Sequence, residues 1–231
     1  MKAFSRSLLD LFFPPRCIYC DGLLKDSHAA SCLRCQRELP WIPQEDQGLA
    51  GRHFSHCISA AYYEGAIRAA FLQYKFYGQR QIATAFAVPM LKAIAGQMPG
   101  RFDLITWIPV SEETLKKRGY DQARLLAEAL GQLLQTPVLA ALAQPKAKVP
   151  QSTLLSPQAR QENVKGCFAL RNPAALKGKR ILLIDDVITT GATLEEASQT
   201  LGQAGVQEVV CATFCRARKE DTLGEAPPPK R

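Results

Sequence analysis

No stretch of this sequence approaches the roughly 20 consecutive apolar residues that a membrane-spanning helix needs, so no span is expected. No export signal is legible either. The opening MKAFSRSLLDLFFPPRC holds a short apolar run, but Asp10 interrupts it and no small-residue cleavage site follows. It reads as mature sequence in which Leu8, Leu9, Leu11, Phe12 and Phe13 form a short helix packed on the body, and the expected setting is the cytoplasm. There is no internal repeat. There is no GK[ST] triplet, which excludes a Walker A nucleotide loop. No stacking-aromatic motif of a DNA-binding fold is visible, which weakens direct recognition of DNA.

What is present is an ordinary globular balance, with 47% hydrophobic and 22% charged residues in 231. That length allows one medium α/β domain plus a small appendage. The net charge of +8 suits a phosphate-bearing partner, either nucleic acid or a polyphosphate ligand, and equally suits a solvated basic surface.

Eight cysteines remain to be placed. Cys17-x2-Cys20 and Cys32-x2-Cys35 form two close pairs, while Cys57, Cys167, Cys211 and Cys215 are scattered in the chain. In a reducing compartment, paired cysteines hold metal more often than they form disulfides. Two CxxC turns supply the four thiolates of a tetrahedral zinc site, and such a closed set is structural, with no position left for catalysis. A module this small needs that staple to fold. Disulfides or unligated thiols are the alternative. His53, His56 and Cys57 could form part of a second site, or be surface histidines beside a core thiol.

The chain divides by pattern into residues 1–56, an N-terminal helix and zinc-ribbon module; 57–216, the main domain; and 217–231, a tail read as disordered. Gln44–Gly51 reads as a linker. Ile67, Ala70, Phe71 and Tyr74 repeat at helical spacing, a second helix runs from about Gln81 to Gln97 with Pro89 expected to kink it, and a third from about Tyr120 to Leu134. Leu104–Val110, Ile181–Ile184 and Val206–Phe214 read as buried strands. Gln144–Lys165 reads as a long loop. Strands alternating with helices predict a parallel sheet flanked by helices.

The most informative segment is Ile181–Thr193, ILLIDDVITTGAT. An apolar run delivers the chain to the carboxyl edge of a sheet, where open α/β folds bind ligands. Asp185 and Asp186 follow, then Val187, Ile188, Thr189, Thr190, Gly191, Ala192 and Thr193. Gly191 permits a close turn, small neighbours leave room for a phosphate, and backbone N–H groups with threonine hydroxyls can face it. Thr193 with Glu196 fits a capping box, so a helix is expected to start there and add its free N–H groups. Carboxylates repel phosphate, so the two acids need another partner, and sugar hydroxyls provide one. The bland alternative is a capped βα turn with two exposed acids.

This string resembles the 5-phosphoribosyl-1-pyrophosphate (PRPP) motif of the type I phosphoribosyltransferases. That resemblance implies that Asp185 and Asp186 contact the ribose hydroxyls, as catalytic acids, and that residues 187–193 hold the 5′-phosphate. Further blocks, YEGAIRAAFLQYKF from Tyr63, Ile108-Pro109-Val110 through Arg118-Gly119-Tyr120-Asp121-Gln122, and Gln151–Arg160 with Asn163, Gly166 and Phe168, resemble the ComF/GntX family, linked to competence for DNA uptake and to gluconate use. The likeness covers about residues 8–216. The family commonly has Asn where this chain has Asp121, and many members carry further CxxC pairs that are missing here.

The resemblance implies a type I phosphoribosyltransferase fold behind a four-cysteine zinc ribbon. It implies pyrophosphate binding near Ser111, Lys116, Lys117 and Arg118, or else a solvated basic helix start. It implies a mobile covering loop bearing Lys146, Lys148 and Arg160, a segment similar to part of glutamine amidophosphoribosyltransferase, or else an ordinary surface loop. Zn2+ would be structural and Mg2+ would arrive with PRPP. Three functions follow: phosphoribosyl transfer to an unidentified acceptor; a non-catalytic PRPP or nucleotide sensor; or a DNA-uptake accessory acting through a protein partner such as a DNA-uptake motor, or through single-stranded DNA.

Overall fold

The computed structural model describes residues 14–26, 28–76, 82–98, 100–145 and 164–218. The N-terminal module carries one short helix, α1 (Leu33–Glu38). The main sheet contains β1 (Gly48–Leu49), β2 (His56–Tyr62), β7 (Glu208–Arg216), β6 (Arg180–Ile188) and β3 (Leu104–Trp107), adjacent in that order. β1 is antiparallel at the edge and the other four are parallel. Between β2 and β3 run α2 (Gly65–Phe76) and α3 (Ile82–Gln97); between β3 and β6 run α4 (Glu112–Arg118), α5 (Gln122–Leu134) and a separate antiparallel pair, β4 (Leu142–Ala143) with β5 (Ala169–Leu170). α6 (Ala192–Gly202) joins β6 to β7.

Parallel strands covered on both faces read as unbroken apolar runs, and β6 is one. Alternate residues separate the faces. Leu182 and Ile184 enter the core under α3 and α5, with Phe86, Leu126 and Phe214. Ile181 and Leu183 enter the core under α6, with Leu194, Leu201 and Cys211. α3 is continuous across Pro89. Ile82, Phe86, Ala87, Met90, Ala93 and Ile94 are all buried on it, and tertiary packing of this kind outweighs one missing backbone donor.

Two segments differ from the sequence reading. Gln44–Gly51 is not a linker. Gln44–Asp46 form a 3-10 turn, and Gly48 and Leu49 pair with Ile58 and Cys57, so the main sheet begins within the stretch assigned to the N-terminal module. It is tied to the sheet by Gln47, whose Nε2 donates to the Ile42 carbonyl at 3.1 Å and whose carbonyl accepts from Ser59 N–H at 3.1 Å. β2 was also not foreseen. It is built of small residues, and its central Ser59 hydroxyl shares a hydrogen bond of 2.8 Å with Thr213 of β7, a partner invisible from local pattern.

The cysteine module is docked rather than tethered. Tyr19, between Cys17 and Cys20, stacks on Phe86 at 6.3 Å between centroids, and Phe86 stacks on Phe214 of β7 at 3.8 Å. Trp41 meets Tyr19 edge-on and donates from Nε1 to the Cys35 carbonyl at 3.3 Å. Among the described residues, no helix is long and apolar enough to cross a membrane.

Candidate functional site

β6 carries Asp185 and Asp186 in its last turn of pleat, where side chains still alternate. The two acids therefore leave the strand on opposite faces. Asp185 lines a shallow, open concavity together with Val187, Ile188, Thr189, Gly191, Ala192, Thr193 and Leu194. Asp186 lies on the α3/α5 side, where its Oδ2 is 3.3 Å from Lys75 Nζ. Its own N–H donates to Asp185 Oδ1 at 2.8 Å, which fixes the first carboxylate. Thr189, in the cleft lining, and its neighbour Thr190 are exposed. The Ile188 side chain is buried in the α6 core, its carbonyl accepts from Ala217 N–H, and the residue pairs with Arg216 in the β6–β7 ladder, so Ile188 is taken up by the sheet.

Gly191 takes φ +79° as the N-cap of α6, a left-handed value that costs a residue with a Cβ. The expected capping box from Thr193 to Glu196 is not formed. The helix starts at Ala192, which places Thr193 inside its first turn, and the Gly191 cap has no side chain to offer. Glu196 Oε1 instead accepts from Gly166 N–H at 2.6 Å. Glu195 accepts from Arg52 N–H at 2.8 Å and His53 N–H at 3.0 Å, with His53 Nδ1 3.1 Å away. Both acids thus tie distant segments to the back of the loop.

Ser111 sits at the start of α4, while Lys116, Lys117 and Arg118 lie at its far end, neither in a loop nor at a helix start. Ser111 is its N-cap, accepting from Thr114 N–H at 3.3 Å and donating to Thr114 Oγ1 at 3.0 Å. The three basic residues occupy its last turn, where cations suit the helix dipole. Lys116 and Lys117 are exposed; Arg118 is half-buried and donates from Nη1 to Gln122 Oε1 at 3.1 Å. Lys146, Lys148 and Arg160, with Gln151, lie outside the described residues.

The structure also brings in residues to which sequence reasoning gave no role. Tyr74 OH donates to the Gln122 carbonyl at 2.6 Å, Tyr120 OH donates to the Tyr74 carbonyl, and Gln122 Nε2 donates to the Lys75 carbonyl at 3.4 Å. The C-terminal end of α2 is thereby clamped to the turn after α4, and Lys75 reaches from that clamp to Asp186. A lysine closing a helix whose preceding turns are apolar was the available signal. Asp121 is buried beside them. Its Oδ2 accepts from Trp107 Nε1 and from Val110 N–H, both at 3.2 Å, and its Oδ1 from Arg124 N–H at 3.2 Å. Burial pushes its carboxyl above the usual range and the nearby Asp186 charge pushes the same way, against those three donors.

The Cys17, Cys20, Cys32 and Cys35 sulfurs all lie within 4.8 Å of one another. A tetrahedron of Zn–S bonds of ~2.3 Å puts sulfurs roughly 3.8 Å apart, and Cys20 Sγ to Cys32 Sγ is 3.8 Å. Cys32 N–H points at Cys17 Sγ and Cys35 N–H at Cys32 Sγ, both at 3.4 Å, as thiolate ligands require of a supporting backbone. The donor set fits structural zinc. His53, His56 and Cys57 do not join into a second site: His53 lies against Glu195, and Cys57 is buried in β2 opposite Cys211. Among the described residues, the four-cysteine group is the one cluster with metal-ligand spacing.

Both the cysteine module and the acid-loop region have counterparts among known protein families. Residues 8–47 match the double zinc ribbon domain family and residues 114–227 the phosphoribosyl transferase domain family. The chain is 27% identical over 229 residues to Competence protein F of Haemophilus influenzae, covering 89% of this chain and 99% of that one. It is 27% identical over 211 residues to DNA utilization protein YhgH of Escherichia coli K12, covering 87% and 83%. The solved allosteric regulatory enzyme of purine biosynthesis is 18% identical with a TM-score of 0.42, over 62% of this chain and 30% of that one, and nothing functional follows from so partial a likeness.

Proposed function

Because the chain belongs to the ComF family, which joins a zinc ribbon to a phosphoribosyl transferase domain, we propose that it binds PRPP with Mg2+ across the carboxyl end of β6. The observation that carries this reading is the open concavity at the end of β6, lined by Asp185, residues 187–189 and residues 191–194. The 5′-phosphate would sit on the backbone of the turn around Gly191 and the first N–H groups of α6. The ribose would lie over the strand end, so that its two hydroxyls reach the acids on either side, Asp185 and Asp186. The pyrophosphate would face Arg118, Lys117 and Lys116, with Lys146, Lys148 and Arg160 supplied by the segment before Val164. Mg2+ would come bound to the pyrophosphate, keeping several of its waters.

If an acceptor enters opposite the pyrophosphate, the chemistry is displacement at C1. The C1–O bond to pyrophosphate breaks, a bond from C1 to the acceptor forms, and the acceptor's proton leaves to solvent or base. The basic residues would stabilise the departing phosphates. A second reading is favoured by the names of the relatives: a PRPP-responsive accessory in DNA uptake or use, acting through a partner.

Titration calorimetry with PRPP and Mg2+ tests the binding claim. Asp185→Asn combined with Asp186→Asn should abolish binding while leaving the thermal melt in place; unchanged affinity would remove the ribose assignment. Pyrophosphate release over a panel of bases, amines and ammonia separates transfer from sensing. A salt-dependent gel shift with single-stranded DNA tests the accessory reading, and no shift at low salt counts against direct DNA contact.

A further inference from the structure

We propose that Lys75 is a positioning residue for this site, its ammonium holding Asp186 on the α3/α5 face of β6 and coupling it to the turn that carries Arg118. The inference rests on the PRPP reading and deepens it. It begins from the separation of the acid pair. Asp185 opens on the cleft and is held by the Asp186 N–H, whereas Asp186 turns toward an interior where Asp121 is already buried. All three described donors to Asp121 are N–H groups of its own surroundings, Trp107, Val110 and Arg124, and none is shared with Asp186. Two carboxylates on one side of a strand end repel each other, and the half-buried Asp186 needs a counter-charge to stay in register with the sugar.

Lys75 is built to supply it. Its carbonyl is fixed by Gln122, its neighbour Tyr74 is fixed by two hydroxyl bonds, and its stem runs past the Phe71 ring, with Nζ 5.3 Å from the centroid. The ammonium is thereby confined near Asp186 at 3.3 Å, with 26% and 15% of the two side chains exposed. Gln122, which holds Lys75, also accepts from Arg118 at 3.1 Å. A chain of contacts thus runs from the sugar acid to the basic turn that the pyrophosphate would face.

The test is a double-mutant cycle on the full-length, zinc-loaded protein, with PRPP and Mg2+ as calorimetric probe. Lys75→Met should weaken binding about tenfold, and Lys75→Arg should restore most of the loss. In an Asp186→Asn background, Lys75→Met should change affinity less than about twofold, because the charge it holds is gone. An equal loss in both backgrounds, or no loss in either, would overturn the assignment. The same four proteins in urea melts give a readout independent of ligand. Coupling in the melts from a wild type that binds no PRPP would sink the ligand reading alone and leave Lys75 as the residue that sets Asp186. No coupling in the melts or in binding would sink Lys75 whatever the ligand.

Discussion

The cysteine module and the acid-loop cleft are assembled in opposite ways. The module gathers its four thiolates from residues 17–35, two turns that close on one ion. The cleft is lined by residues of β6, the turn and α6, but what holds its second acid, Lys75 at the end of α2 and Gln122 that clamps it, arrives only when the sheet is formed. A site of the first kind is written in spacing and a site of the second kind in topology. They are nevertheless one body, because Tyr19 from between the first two ligands stacks on Phe86, and Phe86 stacks on Phe214 beside the strand that carries the acids.

The hardest way to break that picture is to remove the metal. Cys35→Ser, or a chelator, should release zinc and cost on the order of 5 kcal/mol or more, since binding energy of a structural zinc is folding energy. The docked arrangement predicts that the loss spreads. The main transition in a thermal melt should fall, and Trp41 fluorescence should change, because its Nε1 donates to the Cys35 carbonyl. An unchanged main transition with zinc gone would show the module to be an independent appendage.

Next in size is Phe86→Ala. Phe86 is fully buried between Tyr19, Tyr74 and Phe214, and truncating a buried aromatic costs about 3–5 kcal/mol. Both regions should feel it: urea melts should show the lost stability, and metal analysis after dialysis against a weak chelator should show faster zinc release than from wild type. A variant destabilised to that degree whose zinc is retained as before would mean that the stack supports the sheet without supporting the module.

A smaller change sharpens the other half of the comparison. Gly191→Ala puts a Cβ at φ +79°, where the nearest atom, Ile188 Cδ1, is 3.6 Å away, so the strain is conformational rather than steric. The expected cost is ~1 kcal/mol in a melt. The turn would re-aim its N–H groups, so PRPP affinity should fall by more than stability does. A loss confined to stability would say that the turn does not hold the phosphate.

The same contrast explains what could be read from the chain alone. The two CxxC turns and the string ILLIDDVITTGAT are local patterns, and the structure builds the thiol cluster, strand, turn and helix they predict, although the strand runs on past Ile184 to Ile188 and the helix starts at Ala192 rather than Thr193. The divergence of Asp185 and Asp186 was legible in principle, since adjacent strand residues face opposite ways. β2 was not legible, because its Ser59 is satisfied by Thr213 from the far end of the chain. Nor was the use of Glu196: its spacing from Thr193 fits a cap, but a bond to Gly166, thirty residues away, competes for the carboxylate and wins. Lys75 acquires its partner only through three hydrogen bonds that clamp α2 to a turn more than forty residues later.

The smallest expected effect concerns Asp121, and it separates the two regions by sign. Asp121→Asn introduces the residue common in the family. An amide has one acceptor oxygen where the carboxylate uses two, so at least one N–H among Trp107, Val110 and Arg124 loses its partner. Against this, the substitution removes a buried charge next to Asp186. The balance shifts with pH. Burial raises the folded carboxyl above its unfolded value of 3.8, so its contribution to stability is complete below that value and is lost as pH rises through the folded one. Wild type should therefore gain on Asp121→Asn as pH falls from about 7.5 toward about 4.5, in paired urea melts where other titrating groups cancel. The cysteine module responds in the opposite sense, because protonating its thiolates releases metal. Zinc measured on both proteins at each pH keeps the two responses apart. A wild-type advantage that is flat or shrinks on acidification would mean that the three donors, rather than burial, govern Asp121.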